Sequence, residues 1–219
     1  MEQQTAGVKK SWGMKIAKMA VGAVLVIFAL FIILAITRIP HFIDKQKTEE
    51  QVAKIHATKL TLDDVMGKNL PPDPGAQADK TIAGIDANQN GIRDDVELAI
   101  FKEYPGSAKT RAVLLQYALV LQMEVTQPFK NTTNVTEVVR EEDRADSCVA
   151  DTLVPRESPE SWRTPADIEK IDRFISFIES RQRNTPERKK ARKDFVEKLG
   201  SFSPLDEEIC DISFSMLPN

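Results

Sequence analysis

The chain has 219 residues, a formal net charge of −3 and 42% hydrophobic residues, enough to build a core. A dedicated nucleic-acid binder would be strongly basic, so that class is set aside. With only two cysteines and two histidines, a Cys₄ zinc site is excluded.

Residues 1–18 form a basic tail carrying Lys9, Lys10, Lys15 and Lys18. From Met19 to Ile36 no charged residue interrupts a run of apolar and small side chains. As a helix this run measures roughly 27 Å, close to a bilayer's hydrocarbon thickness. We take 19–39 as a transmembrane helix. Arg38 is the one basic residue immediately after the run, an asymmetry that predicts a cytoplasmic N-terminus and an exported C-terminal portion. The protein is then a single-pass inner (plasma) membrane protein with a periplasmic or extracellular domain. A cleavable signal peptide is the competing reading. It calls for an apolar core of about 7–15 residues and a small-x-small exit, which Ala35-Ile-Thr-Arg-Ile-Pro40 does not provide.

Residues 40–75 read as a juxtamembrane stalk and linker, largely polar and charged, with sparse apolar positions such as Val52, Ile55, Leu60 and Val65. Asn69-Leu-Pro-Pro-Asp-Pro-Gly75 forbids a continuous helix, because proline removes donors and restrains the residue before it. The domain boundary is placed there, with an exported helical domain over 76–219.

Within that domain the pattern predicts helices almost throughout. One runs from Asp94 to Tyr104 and stops at Pro105-Gly106. Ser107 caps a second, to about Thr126, that is apolar on most sides and belongs at the domain centre. A third covers about Asn134 to Leu153. Thr164-Pro-Ala-Asp167 opens a fourth by capping box, with Ile168, Ile171, Phe174, Ile175 and Ile178 at helical spacing. Asn184-Thr-Pro-Glu187 opens a fifth that ends near Gly200, and a short helix is expected around Asp206–Ile212. No alternating strand pattern occurs. The fold class is all-α: a transmembrane helix, a stalk and a small helical bundle. Cys148 and Cys210 both fall in the exported part, where a disulfide is the expected state. Two buried free thiols are the alternative.

Asp86-Ala-Asn-Gln-Asn-Gly-Ile-Arg-Asp-Asp-Val-Glu97 carries the specific chemistry. Oxygen-bearing side chains alternate at its start, a glycine stands sixth and a glutamate twelfth, a donor pattern that suits a calcium ion. The spacing resembles the EF-hand loop, D-x-[DN]-x-[DN]-G-x₅-E. It is closer in style to the single loops of thrombospondin type 3 and dockerin modules, and to D-x-N-x-N-G-I-R-D-D-V-E segments of exported bacterial proteins. The resemblance implies calcium ligands at Asp86, Asn88, Asn90, Asp94 and Glu97, with Ile92 giving its carbonyl. Two features depart from paired sensor EF-hands: Arg93 replaces the usual aliphatic at the eighth position, and no helix is expected before Asp86. An unpaired extracellular loop of this kind binds with Kd on the order of 10⁻⁴–10⁻³ M. The plainer alternative is an Asn90-Gly91 turn followed by an acidic first helical turn.

No histidine occurs in 76–219, since His41 and His56 fall in the stalk. Triad catalysis is thereby disfavoured, and no catalytic residue is assigned. One acid keeps a hydrolase in view: Glu142, on the apolar stripe of its helix, as general acid with Asp146 or Glu141 as partner. A glutamate paired with a nearby arginine is the plainer reading. Arg181, Arg183, Arg188, Lys189, Lys190, Arg192, Lys193 and Lys198 form a basic cluster, either facing an anionic partner or simply a solvated face. The expected role is binding or scaffolding, with a protein or envelope polymer as partner.

Overall fold

In the computed structural model, residues 2–128, 131–158, 160–205 and 208–217 are described. Among them stand seven α-helices and no strand. The helices are α1 (Glu2–Ala57), α2 (Leu62–Met66), α3 (Asp94–Glu103), α4 (Ala108–Thr126), α5 (Thr132–Leu153), α6 (Pro165–Gln182) and α7 (Pro186–Val196). Short 3-10 turns cover Gly75–Gln77 and Phe214–Met216. The fold class is all-α, as the sequence predicts.

The chain divides into two compact units, Met1–Glu49 and Glu50–Asn219. In the first, α1 is long and apolar enough to cross a membrane, with a window of mean hydropathy 3.1 and no burial. The helix does not end at residue 39; it continues through Pro40.

The second unit begins earlier than residue 76. Ile55, Leu60 and Val65 are 1%, 5% and 0% exposed and belong to the main core. The expected stalk is therefore structural from Glu50 onward. Of its sparse apolar residues Ile55, Leu60 and Val65 are buried and Val52 partly so, with Gln51 buried beside them. α2, absent from the sequence reading, has a full capping box between Thr61 and Asp64.

α4 is the centre of this unit, buried on nearly every side, and contacts α2, α3, α5, α6 and α7. Its caps follow the sequence: the Ser107 hydroxyl accepts the Thr110 N–H at 3.1 Å. Thr164 and Asp167 form the predicted capping box at the start of α6. α7 starts from Thr185 with Pro186 in its first turn.

The final helix expected around 206–212 is not there. Residues 206 and 207 lie outside the described residues, and 208–212 are non-helical. A disulfide joins Cys148 of α5 to Cys210, with Cα atoms 5.2 Å apart. That bond, and the acceptance of the Asp211 N–H by Gln116 Oε1 at 2.9 Å, hold the segment extended along α4 and α5.

Candidate metal-binding loop

The segment 81–93 contains no helix, so Asp86 is entered from coil, as Pro74, Gly75 and Gly84 ahead of it predict. The loop closes on itself through its own acids. Asp86 Oδ1 accepts the Asn90 N–H at 3.1 Å and Oδ2 accepts the Gly91 N–H at 2.9 Å. Asn90 Oδ1 accepts the Ile92 N–H at 2.9 Å. Gly91 has φ +85°, and a Cβ there would stand 2.7 Å from Leu119 Cδ1 on α4. The sixth position is glycine for both reasons.

α3 then brings the remaining acids inward. Asp94 is 0% exposed and accepts the Ala87 N–H with both oxygens, at 3.0 and 3.2 Å. It therefore staples the loop's second position to the helix start. Glu97, one turn on, is 1% exposed and accepts the Asn88 Nδ2 at 3.1 Å. The same Nδ2 also donates to the Asn69 carbonyl at 2.9 Å.

Among the described residues, no lysine, arginine or histidine forms an ion pair with Asp86, Asp94 or Glu97. Burial dominates the titration of Asp94 and Glu97. It pushes Glu97 up to about 7, against the Asn88 hydrogen bond. It raises Asp94 as well, with the Ala87 N–H opposing. The Asn90 side chain, whose Nδ2 is buried, also opposes the rise at Glu97 through a hydrogen bond. Ile92 is fully buried by its side chain.

No group of three or more His, Cys, Asp or Glu side chains among the described residues stands ready to hold a metal ion. The loop's oxygens are instead split between carboxylates and the Asn88 and Asn90 amides. The six predicted positions lie on one loop and the first turn of α3, where Asn88 meets Glu97 and Asp86 meets Asn90.

Two arginines, one within the loop and one on α7, fix this segment against the rest of the bundle. Arg93, the departure at position eight, is 0% exposed. Its guanidinium pairs with Asp95 and donates to the Arg181 carbonyl at 2.7 Å, at the end of α6. A cation there answers the partial negative charge of a helix C-terminus. Gly84, at φ +71°, lets the Arg93 side chain pass where a Cβ would stand 2.3 Å from its Cδ. Arg188 of α7 is 1% exposed and donates to the Ala78, Thr81 and Ile82 carbonyls at 2.5, 3.1 and 3.0 Å. Gln122 Nε2 adds a bond to the Ala83 carbonyl at 2.6 Å. Unsatisfied carbonyls in a proline- and glycine-rich segment are the signal from which such clamps are legible.

The basic cluster thus splits. Arg188 is internal, Arg192 is half-buried against Glu142, Arg183 pairs with Glu179 at 2.7 Å, Arg181 lies 3.7 Å over the Phe177 ring, and Lys189, Lys190, Lys193 and Lys198 face solvent. Arg192 also settles the surroundings of Glu142. Its Nη1 and Nη2 donate to the two Glu142 oxygens at 3.0 Å each, and it reaches buried Glu124 as well. Glu142 lines a cleft of about 220 Å³ with Tyr117, Asp143, Asp146 and Phe202. Asp146 is raised by burial. Glu141, the other suggested partner, points elsewhere and binds His56, Lys59 and Arg144.

No family model, curated protein or solved structure matches this chain.

Proposed function

We propose that this chain is a membrane-anchored, exported small helical bundle with one EF-hand-like structural calcium site, serving a binding or scaffolding role in the cell envelope. The calcium reading is supported by the spacing of Asp86, Asn88, Asn90, Asp94 and Glu97, together with the burial of Asp94 and Glu97. Burying carboxylates without a counter-charge is costly, and a divalent cation held by oxygens offsets that cost. Asp86, Asn88, Asn90, the Ile92 carbonyl and Glu97 would hold the ion. Asp94 supports the loop backbone, with an indirect role through water. The ion's contribution would be to neutralise these acids and tie the loop to α3. The single long apolar helix with its basic flank supports the anchor.

A membrane-anchored envelope glycan hydrolase acting through Glu142 is the second reading. The two-pronged Arg192 contact works against it, because a general acid needs a free proton-bearing oxygen. No observation favours it over the first.

Two measurements test the proposal. Reporter fusions active only outside the cytoplasm should be active at the C-terminus and silent at the N-terminus. Calorimetric titration of calcium into the detergent-solubilised chain should give one site with Kd on the order of 10⁻⁴–10⁻³ M. Heat that persists unchanged in both Asp86→Ala and Glu97→Ala would remove the loop from consideration.

A further inference from the structure

The end of α1 is held to α5 by a polar junction. Ile55 packs in the core, and on the next residue His56 Nδ1 stands 2.7 Å from Glu141 Oε1. Its Nε2 stands 3.1 Å from Glu137 Oε2. An ionised carboxylate only accepts, and a neutral imidazole has one N–H and one lone pair. Both contacts are satisfied together only when the ring carries two protons.

The groups around it are already balanced. Buried Glu141 also accepts from Lys59 Nζ at 3.1 Å and Arg144 Nε at 2.8 Å. Glu137 accepts from Arg140 Nη1 at 3.0 Å. Arg144 continues to Asp211 Oδ1 at 2.6 Å; Asp211 accepts the Leu60 N–H at 2.9 Å and lies 3.9 Å from Lys59. Burial raises Glu141, yet its hydrogen bond from His56 and the charges of Arg144 and Lys59 leave it below the ordinary carboxylate range. Imidazole is the side chain whose protonation is easiest to change in the physiological range, and the His56 side chain is 27% exposed, open to solvent protons.

We propose that His56 is a proton-controlled latch that fastens the last turns of α1 onto α5. When the ring is doubly protonated it bridges Glu137 and Glu141. On losing a proton it keeps Nδ1–H on buried Glu141 and turns a lone pair toward Glu137, which repels it. That contact opens and residues 50–60 loosen. The latch makes the attachment of residues 50–60 to α5 depend on pH.

Hydrogen exchange of the full chain in lipid nanodiscs tests this. Amides of 50–60, corrected for intrinsic chemistry, should exchange about tenfold faster at about pH 8 than at about pH 5.5. His56→Gln should abolish that difference. So should Glu137→Gln, a milder change whose amide accepts or donates as needed. His41→Gln should retain it, and α4 protection reports that each variant is folded. Equal protection of 50–60 at both pH values, or a difference that survives in Glu137→Gln, overturns the latch.

Discussion

Asn88 spans the loop to reach Glu97: its Nδ2 donates to Oε2 at 3.1 Å, joining the third and twelfth positions of the calcium-type spacing. An amide donor there stands in for a cation, and only weakly, because Glu97 is still pushed up to about 7 by burial. Asparagine can turn its Oδ1 inward when a cation arrives, which aspartate at that position could do only by adding charge.

The first prediction concerns pH. Without metal, Glu97 titrates near 7 when folded against an ordinary 4.5. Between those values the folded chain holds a proton that the unfolded chain has released. Its contribution is therefore fully present below about 4.5 and lost as pH rises through 7, on the order of 3 kcal/mol in total. Unfolding in chelator from pH 5 to pH 8 should show this decline, and Glu97→Gln should flatten it. Calcium requires the ionised form, so the stability it adds should grow over the same range.

Gly91 sits at φ +85° with α4 directly behind it. Gly91→Ala should cost about 1–3 kcal/mol through strain and contact with Leu119. Leu119→Ala in the same chain should relieve the contact and leave the strain, so the double variant should be less destabilised than the sum. Denaturant midpoints measure both.

Much of this architecture is legible in the chain. Capping residues Ser107, Thr164 and Thr185 place three helix starts within a residue or two, because a cap is a local bargain between a side chain and two N–H groups. The apolar surface of α4 marks the centre for the same kind of reason. What misled was sparseness. Ile55, Leu60 and Val65 lie in polar surroundings, yet each is buried because α2 and the end of α1 fold back on α4 and α5. With them His56 moves from a supposed stalk into an acid-lined junction. Arg93 reads as a flaw in the loop pattern until α6 presents its terminal carbonyls. Arg188 reads as one charge in a basic run until the 78–82 turn presents its own. Both depend on partners about 90 to 110 residues away, beyond any local rule.

Arg188 supplies a further test. Arg188→Ala leaves the Ala78, Thr81 and Ile82 carbonyls without their donor. The loss should be about 3 kcal/mol. Because these carbonyls precede the loop, calcium should also bind more weakly in the variant. Chemical denaturation and calcium titration read the two effects separately.

The Cys148–Cys210 bond closes 62 residues and positions Asp211 against Arg144 and the Leu60 N–H. Reduction, or Cys148→Ala with Cys210→Ala, should cost about 2–4 kcal/mol. Exchange should rise first in residues 208–217, then in 58–62, which share the Asp211 contact.

The calcium site is the central claim, and a thermal melt of the detergent-solubilised chain at about pH 8 tests it most directly, first in chelator and then in millimolar calcium. The prediction is a rise in Tm that increases with calcium concentration and disappears in both Asp86→Ala and Glu97→Ala. A Tm indifferent to calcium in the unaltered chain would contradict it and leave the loop as a self-closed turn before α3.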